Sequence, residues 1–204
     1  MRRFLGFCLL LLSLPVFAQE TPDALVRRVT DEVLEIVRKD KEIQNGNARK
    51  VVDLVEAKVL PNFNFPHMTA LAVGKEWCRA TPQQQERLTQ EFKTLLVRTY
   101  SNSLTAYRNE TIKFKPFALP AGATDTLVST EVHQAGNKPI QLDYNLEKLD
   151  SGWKVYDVVV AGISLVTNYR DQFGQEIRNG GIDGLTQSLA AKNQALDAAK
   201  AEKK

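Results

Sequence analysis

The chain has 204 residues, 43% of them hydrophobic, and its 27 basic and 24 acidic side chains leave a formal net charge of +3. A charge this close to neutral provides no long-range attraction to nucleic acid, so we expect no nucleic-acid partner. The length suits one domain with a sizeable hydrophobic core, because no linker-like segment or internal repeat divides the sequence.

The N-terminus has the pattern of a cleaved secretory signal peptide. Residues 1–3 are a short basic region, residues 4–16 are apolar, and residues 16–18 provide a small-residue cleavage site. The apolar run is too short to cross a bilayer as a helix. We therefore predict a signal peptide over residues 1–18 and a single mature domain over residues 19–204, whose one cysteine excludes an internal disulfide.

The first part of the mature chain has the apolar spacing of amphipathic helices. Apolar residues recur every three or four positions in residues 23–38 and again in residues 47–60, which predicts two helices. Pro61 is expected to end the second helix, because a proline ring clashes with the preceding turn. Residues 61–71 are aromatic and poor in charge, and we expect them to form a connector between helices.

The start of the longest predicted helix is marked by a capping pattern. Thr81 is suited to the N-cap, Pro82 to the first helical position, and Gln84 completes a capping box. Apolar residues then follow one helical face as far as Tyr107, so we predict one continuous helix to that residue.

Four segments rich in β-branched and aromatic residues come next, and we predict that each is a strand. They are residues 111–115, 126–133, 140–149 and 153–161. Turn-forming residues between neighbouring segments favour antiparallel hairpins. The predicted fold class is therefore α+β, with a curved antiparallel sheet wrapped by helices around an apolar cavity, as in nuclear-transport-factor-2-like proteins.

The C-terminal part combines a sharp turn with helical periodicity. Gly162 allows the chain to turn after the last strand, and Ser164 is a suitable N-cap for a following helix. Gly180-Gly181 is expected to stop that helix. A last helix is predicted over residues 182–200, and its Ala- and Lys-rich tail is expected to fray after about residue 193.

The sequence has no recognisable catalytic or metal-binding motif. His67 and His133 are its only histidines, and neither has cysteines or carboxylates at ligand spacing, so we predict no metal site and no catalytic residues. Asp157 is the one acid considered for catalysis, and strict alternation along the strand puts it on the face of Trp153 and Val155. A buried carboxylate can act as a general base, but we favour a structural role as an acceptor of nearby backbone or hydroxyl donors.

Several segments resemble one known family. The stretch WKVYDVVVAGISLVTNYRDQF, which begins at Trp153, closely resembles the MlaC family of periplasmic phospholipid carriers, also called the toluene-tolerance family. Further segments resemble that family in the same order, namely LPNFNFPHM from Leu60, AVGKEW from Ala72, FKTLLVRTY from Phe92 and GGIDGL from Gly180.

The resemblance implies a soluble periplasmic shuttle. It would carry a glycerophospholipid between the outer and inner membranes of a Gram-negative envelope and so maintain outer-membrane lipid asymmetry. The acyl chains would enter the protein while the head group stays near solvent. No cofactor is implied apart from this cargo, and no catalysis. The implied partners are an outer-membrane lipoprotein complex of the MlaA type and an inner-membrane ABC transporter with an MlaD-type ring, with the carrier itself monomeric.

If the chain carries a lipid, the cavity wall must come from its apolar faces. On the connector and the long helix, the candidates are Phe63, Phe65, Met68, Leu71, Phe92, Leu96 and Tyr100. On the strands and the helix that follows them, the candidates are Leu142, Tyr144, Leu146, Tyr156, Val158, Val166, Tyr169 and Phe173. The basic candidates for a rim that contacts the head group or a partner are Lys75, Arg79, Arg108 and Arg170, with ordinary solvated surface as the alternative for each.

Two other functions stay open at this level. An isomerase or dehydratase on a cone-shaped fold could use Asp157 with Tyr144 or Tyr156, although only fold analogy suggests this chemistry. The second alternative is a periplasmic chaperone, which would bind unfolded polypeptide rather than extractable lipid.

Overall fold

The computed structural model describes residues 19–105, 107 and 110–201 of the chain. The predicted signal peptide, residues 1–18, lies outside the described residues, and so does Arg108. The helices are α1 (Pro22–Lys39), α2 (Lys41–Gln44), α3 (Ala48–Leu54), α4 (Phe65–Val73), α5 (Pro82–Tyr100), α6 (Asn102–Thr105) and α7 (Thr167–Ala201). Among them, none is both long enough and apolar enough to cross a membrane.

The strands form one antiparallel sheet in the order β1-β2-β3-β4-β5. They are β1 (Thr111–Phe114), β2 (Asp125–His133), β3 (Ile140–Leu149), β4 (Gly152–Val160) and β5 (Ile163–Ser164). The predicted α+β class and the four predicted strands are confirmed. The short strand β5 is additional, because Ala161 and Gly162 take φ values of 50° and 84° and reverse the chain in two residues.

A β-bulge changes which residues of β4 share a face. Asn145 pairs with Asp157 and Leu146 pairs with Val155, so Tyr156 is an extra residue without a partner. Because Asn145 and Leu146 point to opposite faces of β3, their partners Asp157 and Val155 also point to opposite faces. The prediction that Asp157 shares a face with Val155 is therefore wrong, since strict alternation does not survive an inserted residue.

The predicted connector contains a helix. Asn64 accepts a hydrogen bond from the backbone N–H of His67 at 3.2 Å, and Pro66 lies in the first turn of α4. An amide N-cap with a following proline is a helix start, although the aromatic character of the segment concealed it. Short helical turns flank α4: a π-helical turn at Val55–Val59, a 3₁₀ turn at Leu60–Asn62 and a 3₁₀ turn at Gly74–Arg79.

The capping box of the long helix is confirmed, but the helix ends earlier than predicted. Thr81 and Gln84 exchange the two expected hydrogen bonds, at 2.9 and 3.3 Å. Helix α5 ends at Tyr100, and the separate short helix α6 follows it. Around α6 the backbone N–H groups of Leu104 and Tyr107 donate to the carbonyls of Ser101 and Leu104, three residues earlier, which is the spacing of a 3₁₀ turn.

Helix α7 is kinked at Gly181, which has a φ of 66°. A positive φ suits glycine, so the predicted interruption at Gly180-Gly181 is confirmed, and the helix resumes after it. The structure continues as a helix through Ala201, across the segment that was expected to fray. Asn193 is buried there and donates to the carbonyl and the carboxylate of Glu91 on α5.

Three clusters of buried side chains hold these elements together. One joins α4, α5 and α7 and includes Phe92 and Phe173, both fully buried. The second joins Leu25 and Val26 of α1 to the sheet, and the third joins the later part of α1 to α2, α3 and the π-helical turn. Helix α1 therefore bridges the sheet and the N-terminal helices.

The N-cap of α4 also attaches that helix to the sheet, which gives a testable consequence. Asn64 donates to the Glu147 carboxylate at 2.8 Å in addition to capping His67. Replacing it by alanine removes both bonds, so Asn64→Ala is expected to lower the free energy of unfolding by about 1–2 kcal/mol. Urea unfolding followed by circular dichroism measures the change.

The matched control is Asn137→Ala. Among the described residues, the Asn137 side chain bonds only the exposed Gln134 side chain, so its loss is expected to change stability by less than about 0.5 kcal/mol. Equal unfolding midpoints for the two variants would contradict the role of Asn64.

Candidate functional site

An apolar cavity with two adjoining lobes lies between the helices and the sheet. Each lobe encloses about 240 Å³. The first lobe is lined by α1, by residues before α4 and by strands β1, β3 and β4. The second is lined by the π-helical turn, α4, α5 and β4. Four residues contact both lobes, Val33, Val59, Phe63 and Leu104, so the lobes meet along a common boundary.

The lining of both lobes is free of charged side chains among the described residues. Its polar side chains are Thr30, Asn62, Tyr100, Ser101 and Tyr144. Burial raises the pKa of the Tyr144 phenol, which keeps this hydroxyl neutral. Because an unpaired charge in such surroundings costs several kcal/mol, the cavity suits an uncharged, apolar ligand.

The size of the cavity sets a lower bound on that ligand. A cavity of ~150 Å³ already accepts benzene, and ordinary ligand sites enclose ~300–1,000 Å³. One lobe of about 240 Å³ exceeds the first value, and the two lobes together reach the second range. The two lobes together are therefore large enough for an elongated apolar group such as an acyl chain.

The structure brings about half of the predicted wall residues together in this cavity. Those that line a lobe are Phe63, Phe65, Met68, Leu96, Tyr100, Leu142, Tyr144 and Val158. Leu142 and Tyr144 pair across the strands with Val160 and Val158, so the predicted inward face of β3 is continuous with β4. Whether these residues contact lipid stays a prediction.

The other predicted wall residues lie elsewhere. Leu71, Phe92, Tyr156, Val166, Tyr169 and Phe173 belong to the core of α4, α5 and α7, and Leu146 is fully buried between α1 and the sheet. In that core the Phe92 ring meets the rings of Tyr169 and Phe173 edge-on, with centroids 5.2 and 5.1 Å apart. Edge-on packing at this distance leaves no space for a ligand.

Sequence reasoning missed the contribution of α1 and of the π-helical turn. The apolar cavity residues from these elements that were not predicted are Leu25, Val26, Val29, Val33, Leu34, Val55 and Val59. Those missed on other elements are Leu60, Val97, Leu104, Ile112, Val155 and Leu165. The apolar stripe of α1 is visible in the sequence, but periodicity does not distinguish a stripe that packs on a core from one that borders a cavity.

The described rim candidates line neither lobe. Lys75 and Arg79 are exposed on the turn after α4, and Arg79 pairs with Glu76. Arg170 donates two hydrogen bonds to the carbonyl of Leu71, at 3.1 and 2.7 Å. Lys75 and Arg79 therefore follow the C-terminal end of α4, and Arg170 of α7 contacts that end, so all three lie outside the lining of the apolar cavity.

Asp157 has the structural role that we favoured. Its carboxylate accepts a hydrogen bond from the Ser164 hydroxyl at 2.6 Å and another from the Val166 N–H at 3.2 Å. Ser164 in turn accepts from the N–H of Thr167, so it caps the start of α7 from its place in β5. The side chain of Asp157 therefore fastens α7 to the sheet, and it is not part of the cavity lining.

The carboxylate of Asp157 bonds Ser164 and Val166, and neither Tyr144 nor Tyr156 is among its hydrogen-bond partners within the described residues. Burial, followed by the nearby carboxylate of Asp125, raises the pKa of Tyr156 to about 12. In the described part of the chain, no three His, Cys, Asp or Glu residues are grouped as a metal site requires.

Removal of the Asp157 carboxylate tests its structural role. Asp157→Ala leaves the Val166 N–H and the Ser164 hydroxyl without their acceptor, so we expect a loss of about 3 kcal/mol in the free energy of unfolding. Chemical denaturation gives this value. Asp143→Ala serves as the control, because in the described part of the chain the Asp143 side chain bonds only the exposed Gln141, and its loss should cost under about 0.5 kcal/mol. A cost for Asp157→Ala no larger than that of the control would rule out the fastening role.

Comparison with known proteins yields a consistent set of relatives. The family model described as "MlaC protein" matches residues 27–191. The toluene tolerance protein ttg2D of Pseudomonas putida is 29% identical over 205 residues, with 94% of this chain and 93% of that protein covered. The intermembrane phospholipid transport system binding protein MlaC of Haemophilus influenzae is 22% identical over 178 residues, with 86% and 83% covered.

A solved structure also matches the fold. The phospholipid-binding protein of Ralstonia solanacearum, solved in complex with a phospholipid, superimposes with a TM-score of 0.80 and is 39% identical. The match covers 88% of this chain and 99% of that one.

Proposed function

The chain belongs to the MlaC family, and from this membership we propose that it is a soluble periplasmic phospholipid carrier. It takes up a glycerophospholipid at one membrane of the envelope and releases it at the other, which maintains the lipid asymmetry of the outer membrane. Cleavage of the predicted signal peptide after residue 18 would deliver it to that compartment. Its cargo is its only bound group, and it performs no chemical step on that cargo.

The observation that carries this proposal is the uncharged cavity in a fold shared with a phospholipid complex. The lobes are lined by aliphatic and aromatic side chains, and the related Ralstonia solanacearum protein was solved with a phospholipid. Two acyl chains contain on the order of 30 methylenes, and exposing them to water costs ~24 kcal/mol at ~0.8 kcal/mol each. A cavity that shields the chains removes most of this barrier to crossing an aqueous space.

Directionality must come from partners, because a passive cavity supplies no energy. We assign this role to an outer-membrane complex of the MlaA type and to the MlaD-type ring of an inner-membrane ABC transporter. Lys75, Arg79 and Arg170 lie outside the cavity and are exposed, so a partner rather than the cargo is the proposed contact for this group. Charged contacts of this kind favour fast, reversible association, which a shuttle needs.

The first test concerns the cargo. We expect protein purified from a periplasm to contain phospholipid without any being added, because the apolar lobes favour acyl chains over water. Native mass spectrometry and organic extraction of the same sample measure the lipid and its stoichiometry. A folded protein that contains no lipid and takes up none from vesicles would contradict the carrier proposal. Binding of unfolded polypeptide by such a protein would favour a chaperone.

The second test concerns the wall. Leu96→Asp and Val158→Asp each put a charge into the second lobe, so we expect loss of retained phospholipid, because an unpaired buried charge costs several kcal/mol. The matched control is Leu127→Asp, since Leu127 is 49% exposed and its partner Asn145 lies on the face opposite the cavity. Circular dichroism establishes that each variant is folded. A folded Leu96 or Val158 variant with lipid at the wild-type stoichiometry would remove that residue from the wall.

A further inference from the structure

A larger, charged groove lies next to the second apolar lobe. It encloses about 1030 Å³ and is bounded by α3, the turns that follow α3, α5 and the end of α7. Among the described residues, its lining includes the basic side chains of Arg49, Lys93 and Arg98 and the carboxylates of Glu56 and Asp197. The charges of these five side chains sum to one positive charge, which favours an anionic ligand group over a cationic one.

Two of the basic side chains lack a counter-charge inside the protein. Arg98 forms an ion pair with Asp197. By contrast, neither Arg49 nor Lys93 forms an ion pair or a side-chain hydrogen bond with any residue in the described part of the chain. Lys93 is half-buried and Arg49 is exposed, so both side chains are accessible from the groove. An anion in the groove would supply these two cations with a partner.

The groove and the apolar lobe adjoin each other. Leu60, Phe65 and Val97 each line both spaces, so the two spaces meet at these apolar side chains. Lys93 and Val97 are four residues apart on α5 and therefore lie on the same helical face. An anion-binding surface and an acyl-sized cavity thus meet at these three side chains, which matches the polarity of a phospholipid.

We propose that this groove binds the phosphate of the lipid head group while the acyl chains extend into the apolar lobes, which the groove adjoins at Leu60, Phe65 and Val97. The proposal rests on the carrier function proposed above and names the head-group site for it. A phosphodiester carries one negative charge. Arg49 and Lys93 together with Glu56 leave one positive charge in the groove, which matches that charge. The planar guanidinium of Arg49 offers paired donors to two phosphate oxygens, and the Lys93 ammonium adds a point charge.

The test separates the phosphate from the acyl chains. Delipidated mature protein is titrated with phosphatidylglycerol and with diacylglycerol of the same acyl chains, which lacks the phosphate. The variant Arg49→Glu/Lys93→Glu reverses both unpaired charges. We expect it to bind phosphatidylglycerol at least tenfold more weakly than wild type and to bind diacylglycerol unchanged. The control Lys138→Glu/Lys148→Glu reverses two exposed charges that line neither lobe nor groove, and its affinities should match wild type.

The outcomes distinguish the head-group site from the carrier function. An unchanged ratio of the two affinities in the groove variant, with lipid still bound, overturns the site and leaves the carrier function intact. Binding of neither lipid by wild type overturns both. Glycerol 3-phosphate that binds wild type as tightly as phosphatidylglycerol would identify a site for free phosphate and would also overturn the proposal. If the double variant does not fold, Lys93→Gln decides the question, with an expected loss of at least threefold for phosphatidylglycerol alone.

Discussion

The attachment of residues 63 and 64 to strand β4 is the constraint on which the cavity depends. The backbone N–H of Asn64 donates to the carbonyl of Val155 at 2.8 Å, and Phe63 forms a parallel bridge to the same residue. The Asn64 side chain adds a bond to Glu147 on the neighbouring strand. Because these bonds hold the chain against the sheet, the Phe63 side chain stays where the two lobes meet and α4 starts at a defined position.

The wall and the core use different kinds of apolar side chain. The core of α4, α5 and α7 is closed by aromatic rings that meet edge-on around Phe92. The cavity is bordered by valines of α1 and of the π-helical turn, which are too short to fill the space in front of the sheet. In that turn Val55 and Val59 contact the apolar lobes while Glu56 contacts the charged groove. A π-helical turn has a different spacing from an α-helix, and here it separates an apolar space from a charged one.

Charge is kept outside the cavity throughout. The buried carboxylate of Asp157 accepts hydrogen bonds from the Ser164 hydroxyl and the Val166 N–H. It therefore attaches α7 to the sheet and does not line the lobes. Because the wall is uncharged, an apolar ligand can enter without dehydrating charged side chains. A ligand that binds only the folded state also stabilises that state by mass action. The same separation places the basic side chains of the groove where an anionic group can stay hydrated.

Local patterns in the sequence determined the elements whose cause is local. The capping box at Thr81, the four strands and the interruption at Gly181 each follow from a cap, an alternation or a backbone preference that neighbouring residues set by themselves. The segments resembling the MlaC family likewise identified the family before any fold was known. Tertiary structure alone decided that Phe63 borders a cavity while Phe92 is sealed in a core. It also decided that Tyr156 is bulged, which reverses the face of Asp157. Both depend on which element packs opposite a given face, and apolar periodicity is the same whether that face meets a neighbour or an empty space.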